Sequence, residues 1–296
     1  MQGALKRAAT IAGGILCVLA AALLVMRGVA LRDSLGERLS QISPTSFAQA
    51  LGLYIVGSIL LAFAWVVLVR IASSGHPRVR PLLRGHLRAQ VAKYLPGNIF
   101  HFAFRHAAAR QEGVAHASLA AALGLEAALL LAAASVIAFG VVADPRLDAL
   151  VPWARQSVVF VPLLAVVAWL ALSFVAPRFG VPAAPISKRA PRLALVLAID
   201  FAFFMLAGAA LRALHAQPDA LPFGAWCGWL SLAWIVGYVT PGAPAGLGLR
   251  EAVLALGLAP ALGESEALAL ALLYRLVTTI ADAALATLGF LDRRAE

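Results

Sequence analysis

Runs of about 20 apolar residues recur along this chain, and as an α-helix a run of that length covers the hydrocarbon core of a bilayer, roughly 30 Å. Six such runs are read: Ala8 to Met26, Phe47 to Val69, Ser118 to Val142, Ser157 to Ala176, Leu193 to Leu214, and Ala267 to Phe290. Of the 296 residues 62% are hydrophobic and 13% charged, against roughly half and a quarter in an average soluble domain. No stretch is both long and polar enough to form a separate water-soluble fold, so catalysis by an appended domain is not expected. The first run follows Lys6 and Arg7 but is too long for a typical signal-peptide core, so it reads as a retained helix. Cys17 and Cys227 each lie inside an apolar run without a second cysteine at CxxC spacing, and both read as small packing residues.

A formal charge of +10 would point to nucleic acid in a soluble protein. Here the basic residues gather at the ends of the apolar runs, where anionic headgroups meet them, so membrane orientation accounts for the charge and no nucleic-acid partner is expected. With the N-terminus in the cytoplasm, 16 Lys and Arg fall on the inner side and 6 on the outer, leaving Arg250 and Arg275 at membrane depth. Both termini are therefore expected in the cytoplasm. The excess of Arg over Lys and the abundance of Ala and Leu suggest a bacterial chain with a GC-rich gene, and so a bacterial plasma (inner) membrane.

Two segments do not read as simple spans. Pro81 to Glu112 is mixed apolar and basic around Tyr94-Leu95-Pro96-Gly97, and Pro222 to Gly263 is apolar but broken at Thr240-Pro241-Gly242-Ala243-Pro244-Ala245-Gly246-Leu247-Gly248. Pro and Gly at that density end a helix. Each segment is expected to enter and leave on one side as a re-entrant helical hairpin, residues 81–112 and 222–263. Pro96 precedes Arg105 by nine residues, and Pro241 precedes Arg250 by nine. The order span, span, hairpin, span also occurs twice, in residues 1–150 and 151–296. Three spans per half is an odd number, so the second half is expected upside down relative to the first. The expected fold is an all-α polytopic membrane protein, with about six transmembrane helices and two re-entrant hairpins in an inverted-topology repeat. Inverted repeats with broken helices near the midplane are a transporter architecture.

The runs Lys93-Tyr94-Leu95-Pro96-Gly97-Asn98 and Pro241-Gly242-Ala243-Pro244-Ala245-Gly246-Leu247-Gly248-Leu249-Arg250-Glu251 resemble the two signature segments of the lysylphosphatidylglycerol synthase transmembrane-region family, the flippase-like domain. The resemblance covers nearly the whole chain and implies movement of lipids between leaflets. Larger members fuse this domain to an aminoacyl transferase, and a chain ending at Glu296, four residues after Asp292, is expected to be without one. Ala245 stands where that family more usually has Gly.

Ionisable groups at membrane depth are costly and call for a reason. Arg105 and Arg250 follow the hairpin tips, and a guanidinium binds phosphate oxygens through paired donors. Together with Pro96, Gly97, Pro241, Gly242, Tyr94 and Tyr238 they form the expected headgroup site, with N–H groups freed at the two tips as further donors. The alternative is that Arg105 snorkels to the surface and Arg250 pairs with Glu251 or Asp282. Glu126, Asp200, Glu251, Arg275 and Asp282 are expected as ion pairs or a proton relay, with Arg275 and Asp282 seven apart on one helix face. Asp200 is the best candidate for protonation during a cycle. His101 and His106 are five apart without a completing cluster, so no metal is expected. Trp226, Trp229 and Trp234 read as interface anchors and packing. Nothing matches a P-loop, HExxH or GxSxG, and neither a cofactor nor enzymatic activity is expected. The leading function is a lipid flippase or scramblase for an anionic phospholipid or polyprenyl-phosphate-linked lipid, with a homo-oligomer or a separate transferase as a further partner. An accessory protein presenting such a lipid to that transferase is the alternative, and an intramembrane enzyme is a weaker third.

Overall fold

The computed structural model describes residues 43–73, 75–95, 100–142, 186–240 and 244–291, with Met26 and Val29. The runs read at 8–26 (but for Met26) and 157–176, Cys17, and the tip residues Pro96, Gly97, Pro241 and Gly242 lie outside the described residues. Those described form eight α-helices and no strand: α1 Pro44–Ala72, α2 Val79–Ala92, α3 Phe100–Gln111, α4 His116–Val142, α5 Ile186–Ala213, α6 Phe223–Val239, α7 Leu249–Leu262 and α8 Glu264–Leu291. Helices α1, α4, α5 and α8 contain the four remaining runs, and each is long and apolar enough to cross a membrane.

α1 begins at Ser43, whose Oγ accepts a hydrogen bond from the Ser46 N–H at 3.1 Å, with Pro44 in the first turn. Both features supply what a helix start lacks. α1 is apolar all round, as a helix facing lipid on one side and protein on the other must be. α2 differs, because Leu82 and Ala89 are buried along one side while Arg80 and Arg88 remain more open. That two-faced character explains why α2 did not read as a span.

Both broken segments fold as a pair of helices packed on each other. At 1.5 Å per residue α2, α3, α6 and α7 are only about 21, 18, 26 and 21 Å long, so none alone reaches across a ~30 Å core. The stretch Pro244–Leu262 is long enough by residue count. It is not one straight helix, because Ala245 and Gly246 take positive φ in a 3-10 turn ahead of α7, as does Gly248. The outer ends of α2 and α3 are tied together: Arg78 donates to Glu112 from its backbone N–H at 3.1 Å and from Nη2 at 2.8 Å. At the base of the second pair, Trp226 Nε1 donates to the carbonyls of Pro218 and Leu221 just before α6. Trp226, Trp229 and Trp234 have the packing part of their expected role: Trp226 is fully buried, and Trp234 meets the Phe204 ring edge-on at 5.3 Å. The short α6 that carries them packs on α4, α5 and α7.

The largest helix interface joins α1 and α5. Phe203 packs on Tyr54 and Gly57, while Val196, two turns earlier, joins the cluster of Trp65 and Val69, so the two helices run antiparallel. Close backbone approach is set by small residues, as is usual between membrane helices. A Cβ on Gly208 would lie 2.4 Å from Cys227 Sγ. Cys227 is buried and free, in the packing role expected of it.

The packing partners are paired. α4 lies on α6 as α8 lies on α2, and α4 touches α5 as α8 touches α1. The pattern departs from this pairing in two places: α1 and α4 pack along their length whereas α5 and α8 barely meet, and α7 packs closely on α8 whereas α3 barely touches α4.

Candidate functional site

The two hairpins converge on α8. Arg275, Thr279 and Asp282 are spaced i, i+4, i+7 and so share one face. Asp282 is buried and accepts from Lys93 Nζ at 2.8 Å and from the Tyr94 hydroxyl at 2.7 Å, both at the end of α2. Arg275 turns to the second hairpin: Nη1 donates to the Ala245 carbonyl at 3.1 Å, Nε lies 3.5 Å from Glu251 Oε1, and the guanidinium sits 5.2 Å from the Tyr94 ring centre. Arg275 and Asp282 therefore share a face, as their spacing requires, but serve different hairpins and are not each other's partner.

Glu251 is held twice. Besides Arg275 it accepts from the Gly248 N–H at 2.6 Å, closing the start of α7 with its own carboxylate. An acid at a helix N-terminus satisfies free N–H groups and the helix dipole together. The Gly248 N–H at that helix start is thus taken by Glu251, while the N–H groups of Gly97 and Gly242, the expected anion donors, lie outside the described residues.

The two arginines at matched spacing have different environments. Arg105 is buried, forms a salt bridge through Nη2 with Glu126 of α4, and lies 4.0 Å over the Trp65 ring. It neither snorkels nor shares a cavity with Arg250. Arg250 makes no ion pair among the described residues, and its Nε is buried without a hydrogen-bond partner. The alternative pairing of Arg250 with Glu251 or Asp282 fails because Arg275 and Lys93 hold those acids. The Arg250 side chain runs through a slot between two glycines: a Cβ would stand 2.7 Å from its Nε at Gly237 and 2.6 Å at Gly246. Its guanidinium lies 5.8 Å from the Trp234 ring centre. Trp234 stacks at 4.6 Å on Tyr238, which in turn is within electrostatic reach of Glu126 and Arg105.

Arg250 lines a cavity of about 40 Å³ together with Tyr54, Trp234, Tyr274, Arg275 and Thr278. Tyr54 and Tyr274 meet edge-to-face at 6.2 Å. That volume admits one or two water-sized groups. A second, polar cavity of about 530 Å³ opens where α5 and α8 part, lined among others by Gln49, Leu53, Arg212, His215, Glu266 and Leu273.

Sequence reasoning singled out Tyr94 and Tyr238 but missed Tyr54 and Tyr274. The chain has four tyrosines, and all four lie at the hairpin tips or on the Arg250 cavity. A phenol inside an otherwise apolar run was the available signal. Among the described residues no cluster of three or more His, Cys, Asp or Glu is placed to hold a metal, and His106 meets His116 at 2.7 Å. Asp200 is buried with Oδ2 unpartnered.

No curated protein matches the sequence. Residues 10–286 match the family described as the lysylphosphatidylglycerol synthase TM region. With five helices long and apolar enough to cross a bilayer and a match over nearly its whole length, the chain is a multi-pass membrane protein and belongs to the lysylphosphatidylglycerol synthase transmembrane-region family.

Proposed function

We propose that this protein moves an anionic lipid, a phospholipid or a polyprenyl-phosphate-linked lipid, between the leaflets of a bacterial inner membrane, without chemical change to the lipid. The observation that carries this reading is Arg250. A guanidinium with a buried, unpartnered Nε and no ion pair among the described residues is costly to fold around. Its fork suits phosphate oxygens, which would supply the missing acceptors. The aromatic surround of Tyr54, Tyr274 and Trp234 leaves room for at most a few waters and so strengthens such a contact. Arg105, paired with Glu126, is assigned a positioning part in the first hairpin.

The inverted repeat belongs to the same proposal. Its supports are the antiparallel α1 and α5, the matched packing of α4 on α6 and α8 on α2, and hairpin arms too short to span. In that frame both helix pairs are re-entrant, and both termini are cytoplasmic. Reporter fusions after Glu296 should read cytoplasmic and near Asp219 external; a cytoplasmic Asp219 refutes the inverted arrangement.

The functional test uses purified protein in vesicles of phosphatidylethanolamine and phosphatidylglycerol with a trace of fluorescent phosphatidylglycerol, whose leaflet is read by a membrane-impermeant quencher. The protein should speed exchange between leaflets, Arg250→Lys should weaken it, and Arg250→Ala should nearly abolish it with normal folded yield. Full transport by well-folded Arg250→Ala would sink this reading. Binding without transport would replace it by the accessory, lipid-presenting role, and a modified lipid product by an enzymatic one.

A further inference from the structure

We propose that lipid movement is coupled to a proton carried by Asp200, an inference that rests on the transport reading above. Asp200 lies midway along α5, only 1% exposed, with Oδ2 lacking any hydrogen-bond donor. It sits where the two core clusters meet, Val196 one turn before it belonging to one and Phe203 and Phe204 one turn after it to the other. A carboxylate in such a place is stable only with a cation or a set of donors.

The charge that acts on Asp200 is another acid, Glu126 of α4, and Glu126 is committed to Arg105. Among the described residues, no helix packed on α5 pairs a cation with Asp200. α1 brings Tyr54 and Arg70, α4 His116 and Glu126, α6 Cys227 and Tyr238, and the distant α8 Glu264, Glu266, Tyr274, Arg275 and Asp282. None of these makes a hydrogen bond or ion pair with Asp200 Oδ2. Two buried carboxyls within electrostatic reach of each other, only one of them paired with a cation, favour a proton on the unpaired member.

This arrangement links the proton to the hairpins. With Asp200 protonated, Glu126 alone holds Arg105 and with it α3, the trailing arm of the first hairpin. Loss of the proton to water sets a second negative charge against Glu126, which disturbs its pairing with Arg105 and favours a shift of α3 relative to α5 and α4. The proton is regained from water when the arrangement reverts. Tyr238, at the inner end of α6 and within reach of the same pair, places the second hairpin under the same influence.

The test has two arms. In the first, wild-type protein in the vesicles described above is given a pH step of about one unit, equivalent to about tenfold per coupled proton. The leaflet ratio of the labelled phosphatidylglycerol should then shift by up to that factor. Asp200→Asn should lose the response, and Asp200→Glu, which keeps the carboxyl, should retain it. In the second arm, wild-type protein alone is labelled with a hydrophobic carbodiimide, which attacks protonated carboxyls in apolar surroundings, and the adduct is located by peptide mass spectrometry. It should fall on Asp200 and spare the ion-paired Glu126 and Asp282. Lipid movement indifferent to the gradient, an Asp200→Asn protein that still follows it, or an adduct absent from Asp200 overturns the proposal. A wild-type protein that carries the adduct on Asp200 yet moves no lipid overturns the transport reading instead, and supports the proton site.

Discussion

Arg105 and Arg250 stand nine residues after their prolines, yet removing their charges should change stability in opposite directions. Replacement by Met keeps a flexible side chain of similar length and drops the charge. At Arg250 the change removes a buried Nε with no partner, a penalty of about 1–3 kcal/mol. It also forfeits a cation–π contact with Trp234 at 5.8 Å, near the outer limit, worth about 0.5–1 kcal/mol. Arg250→Met should therefore raise stability by about 1 kcal/mol. At Arg105 the same change leaves Glu126 buried and alone, which costs about 3–5 kcal/mol. The two variants should differ by at least about 3 kcal/mol on these figures. Unfolding in mixed detergent micelles, followed by tryptophan fluorescence, gives the comparison, and the vesicle assay gives activity on the same preparations. A more stable and inactive Arg250→Met protein is the expected outcome, since sites held for function are often poor for stability. Equal destabilisation by both changes would show Arg250 to be a structural residue and refute the reasoning.

Gly237→Ala would place a methyl 2.7 Å from Arg250 Cγ and Nε; it should expel the guanidinium from its slot and depress lipid exchange as strongly as Arg250→Ala, with folded yield retained. Ala245 holds φ 49 and ψ 22, a left-handed conformation that disfavours any Cβ, so Ala245→Gly should stabilise the protein by about 0.5–1 kcal/mol, measured by micelle unfolding. Hydrogen bonds from Arg78 hold the Glu112 carboxyl below its ordinary range. A carboxylate shifted down contributes stability above its unfolded value and loses it as pH falls through the folded one, so the clasp at the base of the first hairpin should survive mild acid and release below the usual carboxylate range. Carboxyl carbon shifts of Glu112 by NMR would follow it, and an ordinary Glu titration would refute the clasp.

The long helices were legible because a span imposes one simple demand, an unbroken apolar run, and α1, α4, α5 and α8 meet it over more than 20 residues. The hairpins were legible for the opposite reason, since Pro and Gly interrupt apolar runs only where something else covers the backbone. Ala245 is instructive: the resemblance marks it as standing in for a glycine, and its positive φ supplies the physical cause. The pairing of charges was not legible. Spacing places Arg275 and Asp282 on one face, but says nothing of Lys93, Tyr94, Ala245 and Glu251, which arrive on other elements and claim them. Nor could equal spacing from proline reveal that α4 offers Glu126 to Arg105, while Glu251 beside Arg250 is taken by the start of its own helix and by Arg275.

In the proposed inverted repeat α1 and α5 are each other's counterparts, so the seam between them would map onto itself if the halves traded places. Such a seam can act as an axle. Gly57 against Phe203 and Val196 beside Trp65 are the contacts that would stay in register if the flanks turned around them. The flanks are where the halves differ: α5 has parted from α8 while α1 remains closed on α4, and α7 grips α8 while α3 hangs loose from α4. A rocking motion that closed the first gap and opened its counterpart would recreate the same kinds of contact with the roles reversed. The wide cavity beside His215 and Glu266 would then be traded for one at the opposite end of the bundle, and the chain would face the other leaflet without unpacking its centre.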